Sequence, residues 1–304
     1  MIINIKKWIK KHVILYRILS SMHSTYSKLM VPIRVANNYR RVKKHYYNTS
    51  DNLILEAIRV LEKNRRSMIP FDFIQKYQNL DYKIFNKFAE YPSISILGNQ
   101  VYFPKETTTI QIFEAVKTHF IEQDPESPHR YINDKANIKG HSAILIGASD
   151  GLFALELFDS FQHIFLFESD PKWIEPLKKT FEHCYQKITI VNKFVSDKTS
   201  GKEIKLDDYF KDYIYPIDFL QSDVEGTACL VLKGAESILH NNALKLAIAC
   251  YHNSTESFEI QKILINSGFK ISFSKKFVYM WMHNLKEPYF RNGVLYAQKD
   301  QETN

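Results

Sequence analysis

The spacing of hydrophobic positions changes along this chain, and the change divides it. Near the start Ile5, Trp8, Ile9, Val13, Ile14, Leu15, Ile18, Leu19 and Met22 recur at threes and fours, the spacing of one face of an amphipathic helix. Leu53, Leu55, Ile58 and Leu61 predict a second helix over Asn52–Leu61, with these residues on one side. The alternation of Ile94, Ile96 and Val101 about Gly98-Asn99 predicts a hairpin within Ser93–Phe103. A helix over Thr107–Gln123 follows, and its stripe of Ile110, Ile112, Phe113, Val116 and Phe120 reads as core. Beyond residue 141 short apolar runs alternate with helical patterns. The runs are Ser142–Ile146, His163–Phe167, Ile188–Val191, Ile217–Gln221, Leu246–Tyr251 and Lys270–Phe273. Such alternation argues a parallel α/β sheet. The last run, Gly293–Gln298, has no long helix before it and is expected to close the sheet as an antiparallel strand.

Within this pattern the segment SAILIGASDGLFAL, Ser142–Leu155, reads as strand, tight turn and helix. Gly147, Ala148, Ser149 and Gly151 keep the turn free of bulk, so a ligand can lie against main-chain N–H groups and the positive end of the next helix. The next strand ends in Glu168, seventeen residues beyond Gly151, where a carboxylate can accept hydrogen bonds from a ribose diol. NAD and S-adenosylmethionine sites share this logic. A G-x-G-x-x-G is absent, because Ser149 stands where its second glycine would be, and dinucleotide binding is the weaker reading.

Three further groups carry candidate chemistry. The fourth strand runs into Ser222-Asp223-Val224-Glu225-Gly226. Asp223 and Glu225 point to one side if the strand persists that far, whereas a strand that stops earlier leaves Glu225 to cap the following helix. The fifth strand ends at His252, on the same rim, where an imidazole beside acids suits a general base. Before the first strand, Glu122–Tyr131 packs donors and acceptors between prolines, and His129, Arg130 and Tyr131 are candidates to roof a site.

Composition narrows the picture. The chain has 304 residues, 45% of them hydrophobic, enough for one sizeable core and a smaller appended unit. Cys184, Cys229 and Cys250 form no C-x-x-C and sit in apolar runs, so buried thiols in a reducing compartment are expected and a zinc site is not. The net charge of +8 is uneven: the first 50 residues hold eleven Lys and Arg and no acid. A basic amphipathic arm of this kind suits an anionic membrane surface, here through residues 1–45, and equally suits packing on its own domain. It carries no nucleic-acid-binding motif, and no nucleic-acid partner is expected. Arg17 interrupts the only candidate signal segment, and no apolar run is long enough to span a bilayer. The expectation is a cytoplasmic protein, peripheral at the inner face of the membrane if the arm binds there. Three segments follow: the arm at 1–50, a helical lead-in with hairpin and substrate-side loop at 51–140, and the α/β region at 141–304.

Across roughly residues 95–298 the chain resembles the FkbM family of S-adenosylmethionine-dependent methyltransferases. The resemblance rests on IGASDGLFAL, FLFESDP, VSDKTSGKEIKLDDY, IDFLQSDVEGTACLVLKGAESIL and ACYHNSTESFEIQKILINSGFKI, and EQDPESPHRY looks like a loop of bacterial members that modify cell-surface sugars. It implies a Rossmann-like class I methyltransferase fold, a mostly parallel seven-stranded sheet with helices on both faces, behind a helical N-terminal region. It also implies that Gly147, Ala148, Ser149 and Gly151 cradle the cofactor's methionine part. Glu168 then binds its ribose, Ser196 and Asp197 lie near adenine, and Asp223 faces the sulfonium or the incoming hydroxyl. His252 becomes the base, with Asp223 or Glu225 orienting it, and no metal is expected. The family commonly has an acid two residues before the first turn glycine, where this chain has Leu145, and Asp150 is a candidate substitute. The implied activity is O-methylation of a sugar hydroxyl of a surface glycan or its precursor. A non-catalytic cofactor-binding or scaffold subunit of a glycan assembly complex, and a nicotinamide-dependent enzyme, are the alternatives.

Overall fold

A computed structural model describes residues 31–79, 84–85, 90–132, 138–240, 243–282 and 285–299. The proposed amphipathic helix of the basic arm lies outside the described residues. The chain divides into two compact units, one comprising the described residues up to Asp72 with Tyr279–Tyr289, the other Phe73–Val278 with Phe290 onward. This division cuts across the sequence segments at 50 and 140, because the 279–289 stretch returns to the first unit from far along the chain.

In the first unit, helix α1 runs through residues 31–45 and α2 spans Asn52–Lys63. Asp51 caps α2, its carboxylate accepting from the Leu53 and Ile54 N–H groups. The buried face of α2 is Ala57, Val60 and Leu61, while Leu53 and Leu55, expected on the apolar side, are 38% and 47% exposed.

The second unit opens with an antiparallel sheet, β1 (Ile84–Phe85), β2 (Ser93–Ile96) and β3 (Asn99–Tyr102). The hairpin is as expected, but its turn residues are Leu97 and Gly98, with φ of 52° and 74°, and Asn99 already belongs to β3. Helix α3 (Thr109–Glu122) begins with a capping box between Thr108 and Gln111. It buries Ile112, Val116 and His119, whereas Ile110, read as core, sits in its first turn 73% exposed.

The remaining elements alternate: β4 (Gly140–Ile146), α4 (Leu152–Leu157), β5 (Phe161–Phe167), α5 (Ile174–Thr180) and β6 (Ile188–Val191). A short parallel pair, β7 (Phe194–Val195) and β8 (Glu203–Ile204), precedes α6 (Leu206–Tyr209) and β9 (Ile217–Ser222). Then come α7 (Ala228–Lys233), β10 (Lys245–Ala249), α8 (Glu256–Asn266), β11 (Lys270–Phe273) and β12 (Val294–Gln298). Seven strands form one sheet in the order β11-β12-β10-β9-β4-β5-β6, and β12 runs antiparallel to both its neighbours while the other pairs are parallel. This is a Rossmann-like arrangement, a mostly parallel seven-stranded sheet with helices, as expected. A dinucleotide-binding sheet ordered 3-2-1-4-5-6 has no antiparallel strand inserted between its fifth and sixth strands.

Side-chain alternation sends Ile144, Ile146, Leu220 and Ile248 to one face, where they pack with α7 and α8 residues such as Val231, Leu232, Ile260 and Leu264. Leu145, in register with Leu166 and Gln221, takes the opposite face toward α3 and α4. Of the three cysteines only Cys250 is buried; Cys184 and Cys229 are half-buried, the first at the end of a polar turn, Glu182–Cys184, the second in the first turn of α7. No helix among the described residues is long and apolar enough to cross a membrane.

The β4–β9 pairing slips between Ser142 and Ala143. Asp218 explains the slip: its Oδ2 accepts from the His141 and Ser142 N–H groups, at 2.6 and 3.1 Å, in place of ladder partners. Asp218→Ala leaves both donors unpaired, and chemical denaturation should register a loss of about 1–3 kcal/mol.

Candidate active site

The glycine turn is held by the ends of three strands. Gly147 and Ala148 N–H both donate to the Phe167 carbonyl, at 2.9 and 3.2 Å, and Asp223 N–H donates to the Ile146 carbonyl at 3.0 Å. Gly147 has φ of 84°, and a Cβ there would lie 2.2 Å from the Asp223 carbonyl oxygen, so both conformation and space require glycine. Gly151, at φ 79°, precedes α4 and lies against the Phe181 and Leu177 side chains. Glu168 is buried at the turn, its two oxygens accepting from Ser149 N–H at 2.9 Å and Asp170 N–H at 2.7 Å. The carboxylate expected to reach a ribose therefore also ties β5 to the turn.

Beside the turn lies a cavity of about 390 Å³, lined by Gly147–Asp150, by Leu145 of β4, by the C-terminal half of α3, and by Tyr131, Phe153 and Asp223. Glu114, Glu122, Asp150 and Asp223 bring four carboxyl groups to its wall, and among the described lining residues there is no Lys or Arg. Burial pushes the Glu122 and Asp150 carboxyls up from the ordinary range, outweighing the opposing pull of the nearby His129 and His119 rings on Glu122 and of His119 on Asp150. His119, in the same wall, behaves oppositely: burial disfavours its charge, but Glu156 Oε1 at 2.7 Å from Nε2 outweighs it and raises the imidazole.

At one end of the cavity Asp223 collects a polar cluster. Tyr131 Oη donates to its Oδ2 at 2.7 Å, His129 Nε2 lies 3.5 Å from the same oxygen, and His252 Nε2 lies 3.3 Å from Oδ1. His252 Nδ1 faces Glu256 Oε2 at 3.2 Å, and that oxygen also accepts the His252 main-chain N–H at 2.9 Å. Glu256 is 1% exposed. Arg291, also buried, donates to the Tyr251 and His252 carbonyls and fixes the strand exit. Burial opposes the charge on His252, yet the bonds to Asp223 and Glu256 lift it to about 9. Burial likewise opposes the Asp223 charge, and the His252 bond with the His129 and Tyr131 contacts brings it down to about 2.

These positions change several sequence-derived roles. His252 joins Asp223 on one rim, but bracketed by two carboxylates it is an imidazolium at neutral pH, not a ready proton acceptor. Strand β9 ends at Ser222, so the two-residue alternation does not reach Glu225, which is exposed and outside the cavity wall. Ser196 is buried, its N–H bonded to the Ile204 carbonyl and its own carbonyl against Gly234, while Asp197 is exposed; neither lines the cavity. In the proposed roof, His129 and Tyr131 turn inward, but the Arg130 guanidinium donates to the Ile132 carbonyl. His119, Tyr251, Glu256 and Arg291 were not foreseen. Glu256 was findable as an acid four residues after His252 at a helix start, and His119 as a polar residue three after Val116 on a buried face. Among the described residues no group of three or more His, Cys, Asp or Glu has the geometry to hold a metal ion.

No protein-family model and no curated protein matches the sequence. Among solved structures the chain is similar to methyltransferase FkbM from Methylobacillus flagellatus KT, at 17% identity and a TM-score of 0.42, over 62% of this chain and 54% of that one. The match thus spans about half the length of the Methylobacillus protein. Trm5b from Pyrococcus abyssi is similar at 11% identity and a TM-score of 0.41, over 72% of this chain and 62% of that one. An rRNA methylase from Streptococcus thermophilus is similar at 15% identity and a TM-score of 0.37, over 55% and 91% respectively.

The pair's charge state sets a pH window. The stabilising contribution of His252 is complete below its ordinary value and is lost as pH rises through about 9; that of Asp223 is complete above the ordinary Asp range and is lost as pH falls toward about 2. An NMR titration of the His252 ring should find its midpoint near 9. Asp223→Asn should lower that midpoint by about one pH unit or more. An unmoved midpoint in the variant would contradict the pairing.

Proposed function

We propose that the chain is an S-adenosylmethionine-dependent O-methyltransferase acting on a sugar hydroxyl of a cell-surface glycan or its precursor. The observation that carries this reading is the charge of the cavity at the glycine turn: four carboxyl groups and, among the described lining residues, no Lys or Arg. Such a wall repels the diphosphate of a nicotinamide dinucleotide and attracts a ligand bearing a sulfonium and an ammonium. The tight Gly147 turn and the buried Glu168 beside it suit the rest of that cofactor.

When bound, S-adenosylmethionine supplies a methyl group on positively charged sulfur, already activated for in-line displacement by oxygen. The residues then have two tasks, alignment and proton removal. Asp223, ionised and fixed by Tyr131 and His252, accepts the hydrogen bond of the acceptor hydroxyl and takes its proton as the oxygen–carbon bond forms. A carboxylate this acidic suffices, because the hydroxyl oxygen, as it gains its third bond, becomes a far stronger acid than a carboxylic acid. His252 keeps Asp223 charged and oriented and does not itself remove the proton. Tyr131 and Phe153, with ring centroids 5.0 Å apart at the cavity, offer aromatic faces to the C–H side of a sugar. The likeness of EQDPESPHRY to a loop of sugar-modifying enzymes supports the glycan acceptor.

Asp223→Asn should lower methyl transfer by about 10²–10⁴-fold with S-adenosylhomocysteine affinity changed only a few fold. Undiminished transfer would remove Asp223 from the chemistry. Labelled cofactor incubated with the purified protein and surface glycans of its source cell should place label on a sugar oxygen, read by mass spectrometry; label on protein or nucleic acid alone would refute the acceptor. We also propose that the basic arm binds an anionic membrane surface. Replacing Lys6, Lys7, Lys10 and Lys11 with Glu should then release the protein from phosphatidylserine vesicles, and unchanged binding would overturn it.

A further inference from the structure

A second cavity, of about 370 Å³, lies on the same sheet face as the first, and strand pairing builds its floor. Phe219 of β9, Lys245 of β10, Gln298 of β12 and Lys270 of β11 are register partners in one row across four strands. Side chains of such partners stand on one face of a sheet. The next row on that face is Gln221, Ala247, Tyr296 and Ser272. Gln221 lines the first cavity, Tyr296 and Ser272 the second. Leu246, Ala297 and Ile271, which alternate with these rows, belong to the core on the opposite face. The charged side chains among the second cavity's described lining residues are Lys245 and Lys270. They stand on the two strands flanking β12, about 10 Å apart at two strand spacings, a span that two lysine side chains close around one anionic group. Tyr131 stands in the wall of both cavities, and its Oη donates to Asp223 in the first. Tyr296 Oη donates to the Arg130 carbonyl and so holds the chain entering Tyr131 against β12.

We infer that this second cavity binds a sugar carrying an anionic group, a phosphate or a carboxylate, with Lys245 and Lys270 on the charge and Tyr131 and Tyr296 against the ring. Its volume is that of a small-molecule pocket, about 300–1,000 Å³, and leaves room for a ring besides the anion. Aromatic faces suit the C–H side of a pyranose, and Ser272 and Gln298 offer hydrogen bonds to its hydroxyls. The inference rests on the proposed function and deepens it: the acceptor is an acidic glycan. The four carboxyl groups of the first cavity repel its charge, so the charge goes to the lysines and a neutral hydroxyl goes to Asp223.

The test is calorimetric titration of the full-length protein, with and without S-adenosylhomocysteine, by glucose 1-phosphate, glucuronic acid, glucose and inorganic phosphate. A charged sugar should bind about 10-fold or more tightly than glucose, and the tighter of the two identifies the anion as phosphate or carboxylate. S-adenosylhomocysteine should not displace it. The double variant Lys245→Gln, Lys270→Gln should lose about 10-fold or more of that affinity, the weight of a charge-assisted hydrogen bond. Its affinity for S-adenosylhomocysteine should stay unchanged, which certifies that the variant is folded. Inorganic phosphate or glucose binding as tightly as the charged sugar would overturn the assignment. So would full affinity in the double variant, displacement by S-adenosylhomocysteine, or no binding of either charged sugar, each leaving the cofactor reading intact. A charged sugar held by the lysines in a protein that takes no S-adenosylhomocysteine would remove the methyltransferase reading and leave the second cavity's ligand in place.

Discussion

The close approach of Gly147 to the Asp223 carbonyl is the constraint on which the site depends. A side chain at residue 147 would occupy the space that carbonyl fills, and would also resist a φ of 84°. Because glycine is there, the end of β9 can donate from Asp223 N–H to Ile146 while β5 accepts from Gly147 and Ala148. Three parallel strands thus end at one level. The turn, the carboxylate of Asp223 and the acid of Glu168 are brought together by main-chain bonds before any side chain contributes.

Electrostatics then divides the rim into two regions. In the cavity, acids face open space with no Lys or Arg among the described lining residues, a wall suited to a positive ligand. Behind it, His252 sits between Asp223 and Glu256 and carries the positive charge that keeps Asp223 ionised. Around this pair Glu256 Oε1, Arg291 Nε and His129 Nδ1 are buried without hydrogen-bond partners among the described residues. Polar networks left incomplete in a low-dielectric setting are costly, and they cluster where a protein trades stability for function.

Much of this was legible in the sequence for a physical reason. Strands buried on both faces, such as β4 and β5, read as unbroken apolar runs, and the small residues after β4 announce a turn. The strand spans therefore agree with the expected ones to within a residue or two at each end. The misread features depend on contacts that spacing does not encode. Leu97 adopts a left-handed conformation that its residue type does not advertise. Glu225 turns outward because β9 stops at Ser222, and the chain turns at Gly226 with φ of 71°. The charge of His252 is set by Asp223 together with Glu256, which returns from the first turn of α8, so two carboxylates convert an apparent base into a cation. The composition of the first unit was hidden because 279–289 joins it from over two hundred residues away.

The central claim is that an acidic pocket at the Gly147 turn selects a sulfonium nucleoside over a dinucleotide. Paired calorimetric titrations of the protein with S-adenosylmethionine and with NAD address it most directly. The account predicts saturable binding of S-adenosylmethionine, weakened by added salt, and no heat from NAD. Binding of NAD with S-adenosylmethionine silent would contradict it.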